Sequence, residues 1–346
     1  MKTPTSIRTT AAAAALGLTV TALLTACGGP AAQSTAKPQA DTAAAGGATG
    51  RGARTTYPAQ VPNCGRTVRV ERAPQRIVSF FPSNTELLLE LGLEGRIAGR
   101  TWTDQSPPKP AYADASARVK VLAPGEISRE ALLSARPDFI LADGEYQFDG
   151  KKLPTIAELA KLGVSVYIDS AFCPDTTGTA TLDATTTDLA SLGALLDVSA
   201  PAAEAIADVG KRLAAVDTAL KGRPATSAAM VQIVDKQLYA LAGGLYSDIV
   251  RRAGGIDVLG EDVPKGSNFA PLSVEALAKR NPDVLVYHYT GDADRSASER
   301  WLKEHLGATK AVRTHRLVAV PAADFSELRA VDGTLALAKA LHPDAF

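Results

Sequence analysis

Ser128-Arg-Glu-Ala-Leu-Leu-Ser-Ala-Arg-Pro-Asp-Phe-Ile-Leu141 is matched, 145 residues further on and without a gap, by Ser273-Val-Glu-Ala-Leu-Ala-Lys-Arg-Asn-Pro-Asp-Val-Leu-Val286. In each copy a serine suits the N-cap of a short helix, a proline ends it, and Pro-Asp opens an apolar strand. One unit is used twice, which predicts a duplicated, two-lobed α/β architecture.

Outward from the first copy, the pattern predicts strand 76–80, helix 83–91 stopped by Gly92, strand 96–100, strand 138–142, helix 154–162 stopped by Gly163, and strand 164–169. Strands alternate with helices, so the sheet is mostly parallel. Around the second copy the pattern mirrors this, with strand 227–235, helix 247–253 closed by Gly254-Gly255, strand 283–289, strand 317–320 and a final helix to about His342. Between the halves, residues 199–221 carry a serine cap, a proline in the first turn, and Ile206, Val209, Leu213, Val216 and Leu220 at helical spacing. At 1.5 Å per residue this is a rod of roughly 30 Å, a stiff single connector.

The N-terminal segment reads differently. Lys2 and Arg8 lead into an apolar run, residues 11–24, too short to span a bilayer, and then Leu24-Thr-Ala-Cys27-Gly-Gly. Leu-Thr-Ala-Cys resembles the bacterial lipobox, which implies cleavage before Cys27 and acylation of its thiol, with each buried methylene holding the chain by roughly 0.8 kcal/mol. Cys27 is therefore the expected membrane anchor and the extracytoplasmic face of the cell membrane the expected location. Residues from Gly28 to about Gln60 offer almost nothing large and apolar to bury and read as a flexible tether. The expected organisation is a signal at 1–26, anchor and linker at 27–60, an N-terminal α/β lobe at 61–198, a connecting helix at 199–221 and a C-terminal α/β lobe at 222–346.

The 37 basic residues, less Lys2 and Arg8, stand against 37 acidic ones, a mature net charge near −2 that gives no sign of a nucleic-acid partner. Of three cysteines, Cys64 and Cys173 remain once Cys27 is acylated. An even pair in an oxidising compartment suggests a disulfide, with two buried free thiols as the alternative that proximity in the fold decides.

Arg76-Ile-Val-Ser-Phe-Phe-Pro-Ser-Asn-Thr-Glu-Leu-Leu-Leu-Glu-Leu-Gly92, Arg136-Pro-Asp-Phe-Ile-Leu141, Ala253-Gly-Gly-Ile-Asp-Val258 and Leu341-His-Pro-Asp-Ala-Phe346 resemble the substrate-binding proteins of ABC importers for ferric siderophores, cobalamin and haem, from about residue 60 to the end. Asn63-Cys-Gly65 and Ala171-Phe-Cys-Pro174 also resemble an actinobacterial subset in which this cysteine pair is bridged. The resemblance implies the class III periplasmic-binding-protein fold, two Rossmann-like lobes with mostly parallel sheets joined by one long α-helix, and a ligand cleft between them. It further implies that Glu130 and Glu275, at matching places in the repeat, meet arginines of a two-fold permease that works with its ATPase.

Ligands in open α/β sheets sit beyond the carboxyl ends of strands. Aromatics make up only 5% of the chain, yet several fall at these ends, where they suit the walls of a bulky chelate. The candidate ligand-binding residues are Phe81, Ser83, Trp102, Glu145, Tyr146, Tyr239, Tyr246, Phe269, Tyr287 and Arg329, with Trp102 the strongest and Arg329 a partner for an anionic chelate. Trp301 reads as packing on an amphipathic helix. Strand alternation sends His288 to the face opposite Tyr287 and Tyr289, so the three do not point together into the cleft. No His/Asp/Glu set has the spacing of a bare zinc or manganese site, so no metal cofactor is expected and a preassembled chelate fits better. No nucleophile elbow, phosphate loop or dinucleotide fingerprint occurs, which argues against an enzyme. The sequence thus reads as a monomeric lipoprotein that captures a ferric siderophore, with cobalamin or haem as the alternative cargo and ligand sensing without transport as the alternative role.

Overall fold

The computed structural model describes residues 54–346; Cys27, the expected signal and most of the expected linker lie outside the described residues. The tether reading ends early, because the backbone N–H of Thr55 donates to Asp197 at 2.6 Å and the Tyr57 hydroxyl to the Leu195 carbonyl at 3.0 Å. A hairpin follows, β1 (Ala59–Asn63) and β2 (Arg66–Val70), turning through Cys64 and Gly65 at φ 49° and 67°. Two successive left-handed residues match the twist of a tight hairpin. Asn63 fixes it to the first sheet, exchanging bonds of 2.7 and 2.9 Å with the Ile168 backbone, and a Cys64–Cys173 disulfide closes the same edge.

The first half then runs β3 (Ile77–Phe80), α1 (Pro82–Glu90), β4 (Ile97–Thr101), α2 (Ala113–Arg118), α3 (Arg129–Ser134), β5 (Phe139–Ala142), α4 (Ile156–Lys161), β6 (Ser165–Ile168) and α5 (Asp183–Leu195). Its four strands are parallel in the order β4-β3-β5-β6, and β3 and β5 are buried on both faces. Continuous apolar runs such as Phe-Ile-Leu-Ala suit strands covered by helices on both sides. The connector is α6 (Ser199–Leu220), whose Ala202, Ala205, Val209, Leu213 and Val216 form its buried stripe.

The second half runs β7 (Thr226–Val234), β8 (Gln237–Leu241), α7 (Gly244–Arg252), β9 (Gly255–Asp257), β10 (Phe269–Pro271), α8 (Val274–Arg280), β11 (Val284–Tyr289), α9 (Gly291–Leu306), α10 (Lys310–Arg313), β12 (Leu317–Pro321) and α11 (Glu327–Leu341). It does not mirror the first sheet as the sequence reading expected. β11 is parallel to β7 and β12, but the end of β7 pairs antiparallel with β8, and β8 antiparallel with β10. The cause is the two-residue turn Asp235-Lys236, both at positive φ, since only an antiparallel partner is reachable through so short a link.

The repeat is the same object in both halves. Ser128 caps α3 by accepting from the Ala131 N–H at 3.2 Å, and Ser273 caps α8 by accepting from Ala276 at 3.0 Å. Arg136 and Asn281, each just before the proline, close their helices at φ 48° and 45°. Asp138 accepts from the backbone N–H groups of Gln75 and Arg76, and Asp283 from the N–H and hydroxyl of Ser227, so each aspartate ties its strand to the start of a neighbour. Helix α11 packs on α1, α5, α6 and α7, and the central apolar core runs through both halves, from Leu87 and Leu88 through Val209 to Leu245, Val286 and Leu337.

Candidate functional site

The carboxyl ends of β3, β5, β6 and β12 converge on a cavity of about 380 Å³. Phe81 leaves β3 at φ 79°, in a region a bulky residue rarely adopts, and its ring lines the cavity. Asp143 to Tyr146 follow β5, and Phe172, Pro174 and Thr177 follow β6. Opposite stand Gln232 of β7, Tyr246 of α7, Phe269 of β10, and Phe325 and Ser326 after β12. The two walls meet along a seam of backbone. Gly244, at φ 49°, donates its N–H to the Gly178 carbonyl at 3.0 Å, and a Cβ there would lie 1.8 Å from the Thr177 carbonyl oxygen, so the approach requires glycine.

Within this cavity the Tyr146 hydroxyl donates to Asp143 at 2.8 Å and the Gln147 amide donates to the other carboxylate oxygen at 2.5 Å. Desolvation in the wall pushes the Asp143 carboxyl up to about 6. Burial, and then the Asp143 charge, push the Tyr246 hydroxyl up to about 12. Glu145 lies 3.5 Å from Arg66. Beneath Tyr246 and Phe325, with ring centroids at 5.7 and 4.9 Å, lies His288, 2% exposed and with Nε2 lacking a hydrogen-bond partner. Desolvation drives its pKa down to about 3, so the imidazole is neutral.

Next to Asp143 lies a buried group of three carboxyls, Asp169, Asp188 and Glu327. Tyr167 donates to Asp188 at 2.5 Å and the Ser170 N–H at 2.9 Å, while the Asn84 amide donates to Asp169 at 3.1 Å. No salt bridge reaches any of the three among the described residues. Burial raises all three, and mutual repulsion adds to it for Asp169 and Glu327, which lie well above the ordinary carboxylate value, so the group titrates as a coupled set.

The structure sorts the residues singled out from sequence. Phe81, Glu145, Tyr146, Tyr246 and Phe269 line the cavity. Tyr239 stacks on Phe269 with centroids 4.5 Å apart and braces that wall from behind. Trp102, at φ 58°, lines a neighbouring hollow that shares Tyr146, and its indole N–H donates to Gln147 at 3.2 Å, one residue removed from Asp143. Three assignments are corrected. Ser83 is fully buried, and its hydroxyl bonds that of Ser326 at 2.7 Å, joining the two halves beneath the cavity. Tyr287 is 1% exposed on the far face of β11, its hydroxyl donating to Glu299 at 3.3 Å. Arg329 is 2% exposed and engaged by both oxygens of Glu86 at 2.6 and 2.7 Å, by Ser106 and by the Pro107 carbonyl, which leaves it no capacity for a ligand. Asp143, Phe172 and Gln232 went unassigned, although Asp143 obeys the same strand-end rule that found its neighbours. Glu130 and Glu275 are exposed in the first turns of α3 and α8.

Comparison with known proteins adds the remaining findings. The model of a family described as periplasmic binding protein matches residues 77–323. An ABC transporter substrate-binding lipoprotein of Bacillus subtilis (strain 168) is 32% identical over 75 residues, which are 22% of this chain and 22% of that protein, so the match spans about a fifth of the relative's length. A periplasmic binding protein from Veillonella parvula superposes with a TM-score of 0.72 at 26% identity, covering 82% of this chain and 97% of the other. A periplasmic heme binding protein from Pseudomonas aeruginosa gives 0.61 at 27%, covering 79% and 94%. An ABC-type Fe3+-hydroxamate transport protein from Saccharomonospora viridis gives 0.71 at 22%, covering 82% and 99%, a likeness of fold.

Proposed function

This chain belongs to the periplasmic binding protein family, and on that premise we propose that it is the extracytoplasmic substrate-binding subunit of an ABC importer, capturing a ferric siderophore and passing it to the permease. The observation that carries the reading is the cavity itself. Phe81, Tyr146, Phe172, Tyr246, Phe269 and Phe325 reach it from both walls, and six rings around about 380 Å³ suit a bulky chelate far better than a bare ion. Among the described residues no group of three or more His, Cys, Asp or Glu side chains is placed to hold a metal ion, which favours a cargo whose metal arrives already chelated.

The remaining parts of the proposal concern delivery. Cys27, outside the described residues, is the proposed lipid anchor, and among the described residues no helix is long and apolar enough to cross a membrane. Glu130 and Glu275 are the proposed permease contacts, one on each copy of the repeat. The direct test is titration of the purified mature protein with ferric hydroxamates, ferric catecholates, cobalamin and haem, read by tryptophan fluorescence. A ferric siderophore is expected to bind at least tenfold tighter than cobalamin or haem. Tightest binding of cobalamin or haem would replace the siderophore with that ligand.

A further inference from the structure

The cleft is aromatic, but its charge is one-sided. Asp143 and Glu145 line it, and among the described residues no arginine, lysine or histidine does. The cations nearest by sequence or contact are committed elsewhere. Arg329 is locked in its fork with Glu86, and Arg66 meets Glu145 at 3.5 Å while lining a different hollow, between the hairpin and α4. Behind Asp143 the wall holds Asp169, Asp188 and Glu327, with no base paired to them among the described residues.

A ligand filling this cleft strips water from Asp143 and Glu145. An anionic chelate would add repulsion to that desolvation, and a neutral one would leave Asp143 with its hydrogen bonds from Tyr146 and Gln147 but no counter-charge. A positively charged end restores what the water supplied, and the aromatic lining of Tyr146, Tyr246 and Phe269 suits a cation as well. The Asp143 carboxylate is also fixed in place, since Tyr146 and Gln147 each hold one of its oxygens at 2.8 and 2.5 Å. We propose that the cleft selects a ferric chelate bearing an ammonium group, with Asp143 as the counter-charge. This rests on the siderophore reading above and adds the sign of the ligand's charge to it.

The groups around Asp143 set its pH range. Glu145 and Tyr146 belong to its own loop, Asp169 stands at the end of β6 and Tyr246 on α7, and none of them is a base. Burial holds the Asp143 carboxyl near 6, so it is charged at pH 7.5 and largely protonated at pH 5.

The experiment compares three probes on the mature protein by calorimetry at pH 7.5: a ferric trihydroxamate with a free terminal ammonium, the same chelate with that amine acetylated, and an anionic ferric catecholate. The ammonium chelate is expected to bind at least tenfold tighter than the acetylated one, with the catecholate weakest. Asp143→Asn should bring the ratio of the first two below threefold, and so should titration of the unaltered protein at pH 5. Equal binding of the two hydroxamates, or tightest binding of the catecholate, overturns the charge assignment and leaves the siderophore reading standing. If none of the three binds while cobalamin or haem does, the siderophore reading fails and this proposal fails with it.

Discussion

The two copies of the helix-turn-strand unit agree from Ser128 and Ser273 to Leu141 and Val286, and part company two residues later, where Asp143 and His288 hold the same place in the repeat. β5 stops at Ala142, so Asp143 swings out into the cleft wall. β11 runs on to Tyr289 because its neighbours do too, His288 lying between Gln232 of β7 and Val320 of β12. That position is therefore held inside the sheet beneath Tyr246 and Phe325. One inherited unit ends as a charged wall in one half and an apolar floor in the other, and what decides between them is how far the flanking strands reach, not the unit's own sequence. Burial opposes the charged form at both places, raising the acid and lowering the base.

The comparison extends first to delivery. If the equality of the two copies includes their exposed first turns, Glu130→Ala with Glu275→Ala should leave ligand affinity within twofold while uptake of labelled chelate by whole cells falls to background. Each desolvated contact is expected to contribute about 2 kcal/mol to docking, and the single variants should lie between. Uptake at the unaltered rate would confine the likeness of the copies to folding.

A second test separates Asp143 from His288 by pH. A carboxyl whose pKa is raised to about 6 favours the fold fully below the ordinary carboxylate range, and that contribution is lost as pH rises through about 6. An imidazole lowered to about 3 favours the fold fully above its ordinary value, and its contribution is lost as pH falls from about 6.5. Urea unfolding across pH 4 to 8 should thus show His288→Leu flattening the acid limb, by roughly 3 kcal/mol at its end, and Asp143→Asn flattening the limb between pH 4 and 6 by less, because solvent screens its half-exposed carboxylate. Parallel curves for both variants and the unaltered protein would refute the contrast.

The smallest effect sharpens the likeness. Ser128→Ala and Ser273→Ala each remove one cap bond of about 3 Å, and each should lower stability by about 1 kcal/mol in denaturant unfolding. A difference above about 1 kcal/mol between the two would show that one copy leans on its surroundings more than the other.

Much of the frame was legible in sequence because its signals are local. The serine caps, the pre-proline stops and the apolar stripe of α6 each lie within one element. The strand-end rule then placed Phe81, Glu145, Tyr146, Tyr246 and Phe269 at the cavity. The misplaced side chains have a common physical origin in partners distant along the chain. Alternation correctly set Tyr287 and His288 on opposite faces, but which face meets the cleft depends on how α7 and α9 pack. Arg329 read as a partner for an anionic chelate, whereas it lies in the first turn of α11, which begins at Glu327, and the carboxylate that claims it comes 243 residues earlier. β8 was invisible because Asp235-Lys236 lacks the asparagine-glycine or aspartate-glycine pair that usually marks a two-residue hairpin.

The Glu86–Arg329 fork and the Ser83–Ser326 bond each span 243 residues, and both tie α1, the first α-helix along the described chain, to the beginning of α11. A chain emerging in order from its N-terminus cannot satisfy Glu86 until nearly the whole polypeptide has appeared. Contacts of such separation form late, since loop closure must precede any gain from them. The first half therefore lacks the partners of Glu86 and Ser83 until the last helix has been made, so its closure waits on the far end of the chain.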